Sequence, residues 1–199
     1  MPINKCASQV AANIALDCAN PIFAGYEDTA ILINKQDIDD YVRDATNPRM
    51  ISDITLKTGA KTVAIYNPTT DPYDGTQDEA NLDGLMPAYN KTVSFAVPKR
   101  GSDTAKDIIE PLMKNREGFV VVLATKDKVG DGSFVIVGSE TGLVGTTQTR
   151  NNIDKSTGGA WIVTLVEEGA QFAEVNLFMT NYQTSRAAFD ALMLKSYPA

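Results

Sequence analysis

The residue types that most often carry out chemistry in proteins are scarce in this chain of 199 residues. There is no histidine, which removes the commonest general acid or base and every Ser-His-Asp or Cys-His arrangement. Cys6 and Cys18 are too few to build a tetrahedral metal site without histidine. We therefore expect neither a metal nor a cofactor, and we expect a protein that is not an enzyme.

Carboxylates are plentiful, but their spacing does not define a site. Asp127 and Asp131-Gly132 resemble part of a calcium-binding loop, yet Val129 and Gly138 occupy positions that need ligands. The glycine-rich stretch 138–145 matches neither the dinucleotide fingerprint nor the P-loop. Both segments are therefore predicted to be turns.

Composition limits the remaining classes of function. The net charge is −7, and an acidic chain repels phosphate backbones, so tight nucleic-acid binding is not expected. No apolar run reaches the length of about 20 residues that spans a bilayer, and no export signal is visible at the start. We expect a protein made in the cytoplasm, with Cys6 and Cys18 reduced, although a disulfide between them remains an alternative.

Alternation of apolar and polar residues predicts about seven strands. Phe119 to Thr125 is apolar throughout, which indicates a strand covered on both faces. Ile51 to Leu56 and Lys61 to Tyr66 are predicted to form a hairpin around Gly59. The other predicted strands are Thr29 to Asn34, Thr92 to Val97, Ser133 to Val137, Ala160 to Val166 and Ala173 to Tyr182.

Helical spacing is visible in three places. Gln36 to Asp44 is predicted to be a short helical turn. A helix capped by Ser102 or Asp103 should run to about Arg116, with an interruption at Pro111. A C-terminal helix should begin at a Ser185 cap and place Phe189, Leu192 and Met193 on one face.

Together these elements predict a mainly β protein with α (α+β): a single domain over 1–199, built as an antiparallel sandwich or roll with a C-terminal helix. Two long polar loops, 67–90 and 139–159, are unusual for a compact monomer. Because ordering such loops costs entropy, we expect them to become ordered on self-association.

The order of elements resembles a known family. The segments KTVSFAVPKR, DTAKDIIEPLMKN, GFVVVLATKD, GSFVIVGSETGL and GAWIVTLVEEG, with the opening IALDCANPIFAGYEDTAILINKQDI, resemble tail tube proteins of tailed bacteriophages, most closely those of Bacteroidetes-type hosts. The resemblance covers most of the chain, and 67–90 is its least clearly matched part.

The resemblance implies a virion structural protein located in the phage tail. It implies hexameric rings stacked into a hollow tube, an inner barrel to which each subunit gives strands, and contacts with other tail proteins. DNA would pass through the lumen without specific binding. Within the two loops, the assembly contacts predicted on this basis are Asp71, Tyr73, Asp74, Leu85, Met86, Leu143, Thr146, Arg150 and Ile153.

Two other classes of protein remain as alternatives to a tail tube subunit. A head–tail connector or capsid decoration protein would also be structural but would bind other proteins more than itself. A β-sandwich binding module or enzyme would need a concave pocket with convergent polar groups.

Overall fold

The computed structural model describes residues 23–67, 72–81 and 88–198. They form eleven strands in two sheets, with helical segments between them. The strands are β1 (Tyr26–Asn34), β2 (Ile38–Arg43), β3 (Met50–Leu56), β4 (Val63–Tyr66), β5 (Gln77–Asn81), β6 (Ala88–Val97), β7 (Phe119–Thr125), β8 (Phe134–Val137), β9 (Val144–Arg150), β10 (Trp161–Ala170) and β11 (Asn176–Leu177). The mainly β, α+β fold predicted from the sequence is confirmed.

The larger sheet has seven strands in the order β2-β3-β11-β8-β7-β1-β4, and the smaller sheet has four in the order β5-β6-β10-β9. All strand pairs are antiparallel except β3 with β11, which pair in parallel. The architecture is therefore a sandwich of two sheets, and one parallel pair departs from the expected antiparallel arrangement.

Two apolar clusters explain why the central strand β7 is apolar on both faces. Val121 and Leu123 face the smaller sheet, where they join Val93, Val163 and other buried residues. Val120, Val122 and Ala124 face the other way, toward the C-terminal helix. The molecule consequently has three layers, and β7 lies in the middle one with no exposed face, as predicted.

The helical segments lie at the edge of the sandwich and on its outside. The first begins as α1 (Ser102–Thr104), continues as a π-helical stretch (Ala105–Ile109) and ends as α2 (Glu110–Lys114). Pro111 stands at the start of α2, so the predicted interruption is confirmed. The last helix is α3 (Tyr182–Met193), which buries Phe189 and Leu192 against the larger sheet, as predicted.

The predicted hairpin of 51–56 with 61–66 is wrong. β3 pairs with β2, whereas β4 pairs with β1 at the opposite edge of the same sheet. Ile54 belongs to the cluster beneath the C-terminal helix, and Ile65 belongs to the cluster between the sheets. The two strands therefore bury their apolar residues on opposite faces, which local sequence spacing does not reveal.

Other boundaries also differ from the expectations. The predicted helical turn at 36–44 is a 3-10 turn (Lys35–Asp37) followed by β2, because pairing with β3 outweighs the helical spacing. The predicted strand 173–182 is reduced to β11. Asn181, rather than Ser185, caps α3: its side chain accepts a hydrogen bond from the Thr184 N–H at 3.0 Å.

Both predicted loops contain regular structure. Residues 67–90 include β5 and the beginning of β6, while 68–71 and 82–87 lie outside the described residues. Residues 139–159 include β9, which is polar because one of its edges and much of its surface are exposed. Each polar stretch thus supplies an edge strand of the smaller sheet.

Candidate assembly surface

The smaller sheet has one face in the core and one face in contact with solvent. Val93 and Phe95 of β6 and Val163 and Leu165 of β10 are buried against the larger sheet. Strand alternation and register then place the following residues on the outward face: Gln77, Glu79, Asn90, Thr92, Ser94, Ala96, Thr147, Thr149, Ile162, Thr164, Val166 and Glu168.

That outward face carries two carboxylates, Glu79 and Glu168, and no lysine or arginine among the positions just named. The two cationic residues nearest to this face in the strands, Lys91 and Arg150, do not project from it. Lys91 is buried, and the Arg150 guanidinium stacks on the inward-facing Trp161 ring, 4.8 Å from its centroid. A polyanion passing this face would meet threonine and amide side chains and two carboxylates, without a cation to hold it.

Both edges of the smaller sheet are open among the described residues. β5 pairs only with β6, and β9 pairs only with β10. Because each neighbouring pair in this sheet is antiparallel, β5 and β9 run in opposite directions. Open edges expose unpaired backbone N–H and C=O groups, which can pair with another chain.

The β9–β10 turn projects an apolar residue. Ile153 is 86% exposed at this turn. The Asp154 carboxylate accepts hydrogen bonds from the Ser156 hydroxyl at 2.7 Å and from the Ser156 N–H at 2.9 Å, and these bonds lower the pKa of Asp154. Arg100 and Arg150 donate to the carbonyl oxygens of Gly158 and Gly159, so the turn holds a defined shape.

The structure separates the predicted contact residues into three groups. Asp74, Thr146 and Ile153 are exposed and Arg150 is partly exposed, so these four can meet another molecule. Tyr73 and Leu143 are 3% and 0% exposed and belong to the core between the sheets, so they are not surface contacts. Asp71, Leu85 and Met86 lie outside the described residues.

Tyr73 is a core residue because its ring is apolar and its hydroxyl finds partners. The hydroxyl donates to the Asp28 carbonyl oxygen at 3.2 Å, and the ring meets Tyr26 edge-on. Burial raises the pKa of Tyr73, and the charge of Asp28 adds to this effect. Its positive φ of 61° marks a tight turn, which the sequence did not reveal.

A buried ion pair was not predicted from the sequence. Lys91 and Glu167 face each other across β6 and β10, and both side chains are buried. Asp78 stands opposite Lys91 on the other side, on β5. Strand alternation could have indicated this pair, because Lys91 lies on the same face of β6 as the buried Val93, and Glu167 lies on the same face of β10 as the buried Leu165.

Glu167 and Glu140 hold two of the connections that cross between the sheets. The Glu167 carboxylate accepts from the N–H groups of Gly138, Glu140 and Thr141, in the β8–β9 connection. The Glu140 carboxylate accepts in return from the N–H groups of Gln171 and Phe172, in the β10–β11 connection. The two carboxylates therefore tie the β8–β9 connection to the β10–β11 connection.

The described residues include an open depression but no cluster of metal ligands. No group of three or more Cys, Asp or Glu residues among them could hold a metal ion. The open depression lined by Phe23, Tyr26, Asp127 and Glu174 encloses about 370 Å³. In the part of the chain that the structure describes, no helix is long and apolar enough to cross a membrane.

Comparison with known proteins does not assign this chain to a family. No family model matches the sequence, and neither a curated protein nor a solved structure matches the chain.

Proposed function

We propose that this protein is a virion structural subunit of the tail tube type, which assembles with copies of itself into rings that stack around a DNA conduit. The proposal rests on the resemblance in sequence and on one feature of the structure. That feature is a four-stranded sheet whose two outer strands have no second strand partner among the described residues and run in opposite directions.

The strand directions are what a closed ring requires. When a second copy is rotated about an axis roughly along the strands, its β5 comes beside β9 of the first copy. These strands are antiparallel, so the alternation of the sheet continues from one subunit to the next. Successive copies would close a barrel and would leave no edge within it.

The chemistry of the outward face supports the same use. On closure this face would line the barrel, and its threonine, amide and carboxylate side chains would neither attract nor grip a phosphate backbone. The exposed Ile153 at the β9–β10 turn lies at the end of these strands, where it would meet a neighbouring ring or a tail partner. The protein would thus act through assembly in the virion rather than through catalysis.

The test compares two variants that carry charges of opposite sign at one position of the proposed seam, which is the contact between β9 of one subunit and β5 of the next. Thr149 is exposed on β9, and the facing strand of the next subunit, β5, carries Glu79 on the same outward face. Thr149→Asp would bring like charges together, whereas Thr149→Lys would bring opposite charges together; each such cross-strand pair contributes about 0.2–1 kcal/mol. Because the seam recurs at every interface, the Asp variant should assemble at a higher concentration than the Lys variant.

Assembly is measured by light scattering and negative-stain electron microscopy, and circular dichroism of both variants verifies the fold. Equal assembly of the Asp and Lys variants would contradict pairing of β9 with β5. Isolated rings that do not stack would favour the head–tail connector, and binding to capsids without self-assembly would favour the decoration protein.

A further inference from the structure

The buried pair Lys91 and Glu167 is unusual because the amine has no hydrogen bond. The two side chains are 2% and 0% exposed, and Nζ lies 3.9 Å from Oε2 of Glu167. Nζ has no hydrogen-bond acceptor among the described residues. A buried ammonium group without hydrogen bonds is costly, and an ion pair at this separation offsets that cost only in part.

Backbone N–H groups hold the Glu167 carboxyl group beside this amine, as the donors of an oxyanion hole hold an acyl group. Oε1 of Glu167 accepts from the N–H groups of Glu140 and Thr141 at 3.1 and 3.0 Å, and Oε2 accepts from the Gly138 N–H at 2.9 Å. Two N–H donors on one oxygen stabilise the negative charge of a tetrahedral intermediate. The site is also closed to water, which favours condensation over hydrolysis.

A second carboxyl group stands on the other side of the amine. Asp78 is the direct cross-strand neighbour of Lys91. Desolvation raises the pKa of Asp78 against the opposing influence of the Lys91 charge, and the charges of Glu174 and Glu167 raise it further. Of these two carboxyl groups, that of Glu167 forms the ion pair with Nζ.

We propose that Lys91 and Glu167 react within the folded subunit to form an isopeptide bond between β6 and β10. A proton passes from the Lys91 ammonium to Oε2 of Glu167, and the resulting amine attacks Cδ. The Oε1 oxyanion is held by the Glu140 and Thr141 N–H groups. The second proton passes from Nζ to the Oε2 hydroxyl, which leaves as water.

The step balances without an oxidant, a reductant or a further reactant. An ammonium group and a carboxylate become one amide and one water molecule. The bond would remove two buried charges and fix the register of the central strands of the smaller sheet. It requires only the folded subunit, so it is independent of the proposed assembly.

The intact mass of the full-length protein, measured under denaturing conditions, tests the proposal. We expect the wild type to be lighter than its sequence by one water molecule. A peptide map should show no tryptic cleavage after Lys91 and one branched peptide that contains both Lys91 and Glu167.

Two variants serve as controls. Lys91→Arg keeps the positive charge but cannot form this amide, so it should retain the full mass. Asp78→Asn lies on the exposed edge strand and has no ion pair with Nζ, so it should leave both the fold and the loss of water unchanged. Full mass in folded wild-type protein after prolonged incubation would overturn the proposal and leave an ordinary ion pair, as would a water loss that persists in Lys91→Arg.

Discussion

Gly138 offers a sharp test of how the two sheets are connected. It follows β8 at the start of the crossing to β9, and its φ is +92°. A Cβ added there would lie far inside van der Waals contact of the Phe119 carbonyl oxygen, and also close to Cγ of Leu143, at 3.1 Å. The Phe119 oxygen belongs to β7, which is packed on both faces and has little freedom to move.

The expected cost of Gly138→Ala has two parts. Placing alanine in the left-handed region costs about 1–2 kcal/mol. Forcing the backbone of β7 or the β8–β9 connection to shift adds about 1–3 kcal/mol, as overpacking of cores generally does. The sum is about 2–5 kcal/mol, which corresponds to a fall in Tm of roughly 4–20 °C for a chain of this length.

Gly59→Ala is the matched control. Gly59 has a φ of +80°, and a Cβ there would meet nothing within 4 Å. This variant should lose only the conformational part, about 1–2 kcal/mol. Urea denaturation of both variants, with the Tm as a second measure, gives the difference. Equal destabilisation would show that Gly138 does not approach Phe119 and would refute the described crossing.

Three further predictions concern the core and the β9–β10 turn. Tyr73→Phe should cost about 1 kcal/mol at neutral pH through the lost hydrogen bond. Because the folded-state pKa of Tyr73 is raised, the stability that its neutral hydroxyl contributes is fully present below the ordinary tyrosine pKa of 10.0 and is lost as the pH rises above it. The free energy of unfolding of the Phe variant should therefore fall less steeply at alkaline pH than that of the wild type. An identical pH profile would contradict the burial of Tyr73. Trp161→Ala should cost about 2–4 kcal/mol, because the half-buried ring packs on the core and under Arg150, and an unchanged denaturation midpoint would contradict that packing. Ile153→Asp should leave the free energy of unfolding within about 0.5 kcal/mol of wild type while it weakens assembly in light scattering, and unaltered assembly would remove Ile153 from the contact surface.

Sequence reasoning succeeded where a strand is buried on a regular pattern. β7 was recognisable from its apolar run, and the alternation over 92–97 identified β6, whose Val93, Phe95 and Val97 are buried. The apolar stripe of Ile109 and Leu112 likewise identified the helical segment that includes Pro111. These elements carry their signal locally, because burial alone decides their residue types.

The edge strands and the strand order were not accessible in the same way. β5 and β9 are polar and exposed, so their sequences resemble loops, and only pairing with β6 and β10 makes them strands. The partners of β3 and β4 depend on contacts distant in sequence, as the mistaken hairpin shows. The predicted contacts at Tyr73 and Leu143 failed for a related reason: apolar residues in polar segments are often the ones that anchor those segments to the core.

Electron microscopy of the purified wild-type protein across a range of concentrations, with light scattering on the same samples, tests the central claim most directly. If subunits pair through β9 and β5, rings or hollow tubes of uniform diameter should form, and Thr149→Lys should promote them relative to Thr149→Asp. A monomer at every concentration, in the wild type and in both variants, would contradict that pairing.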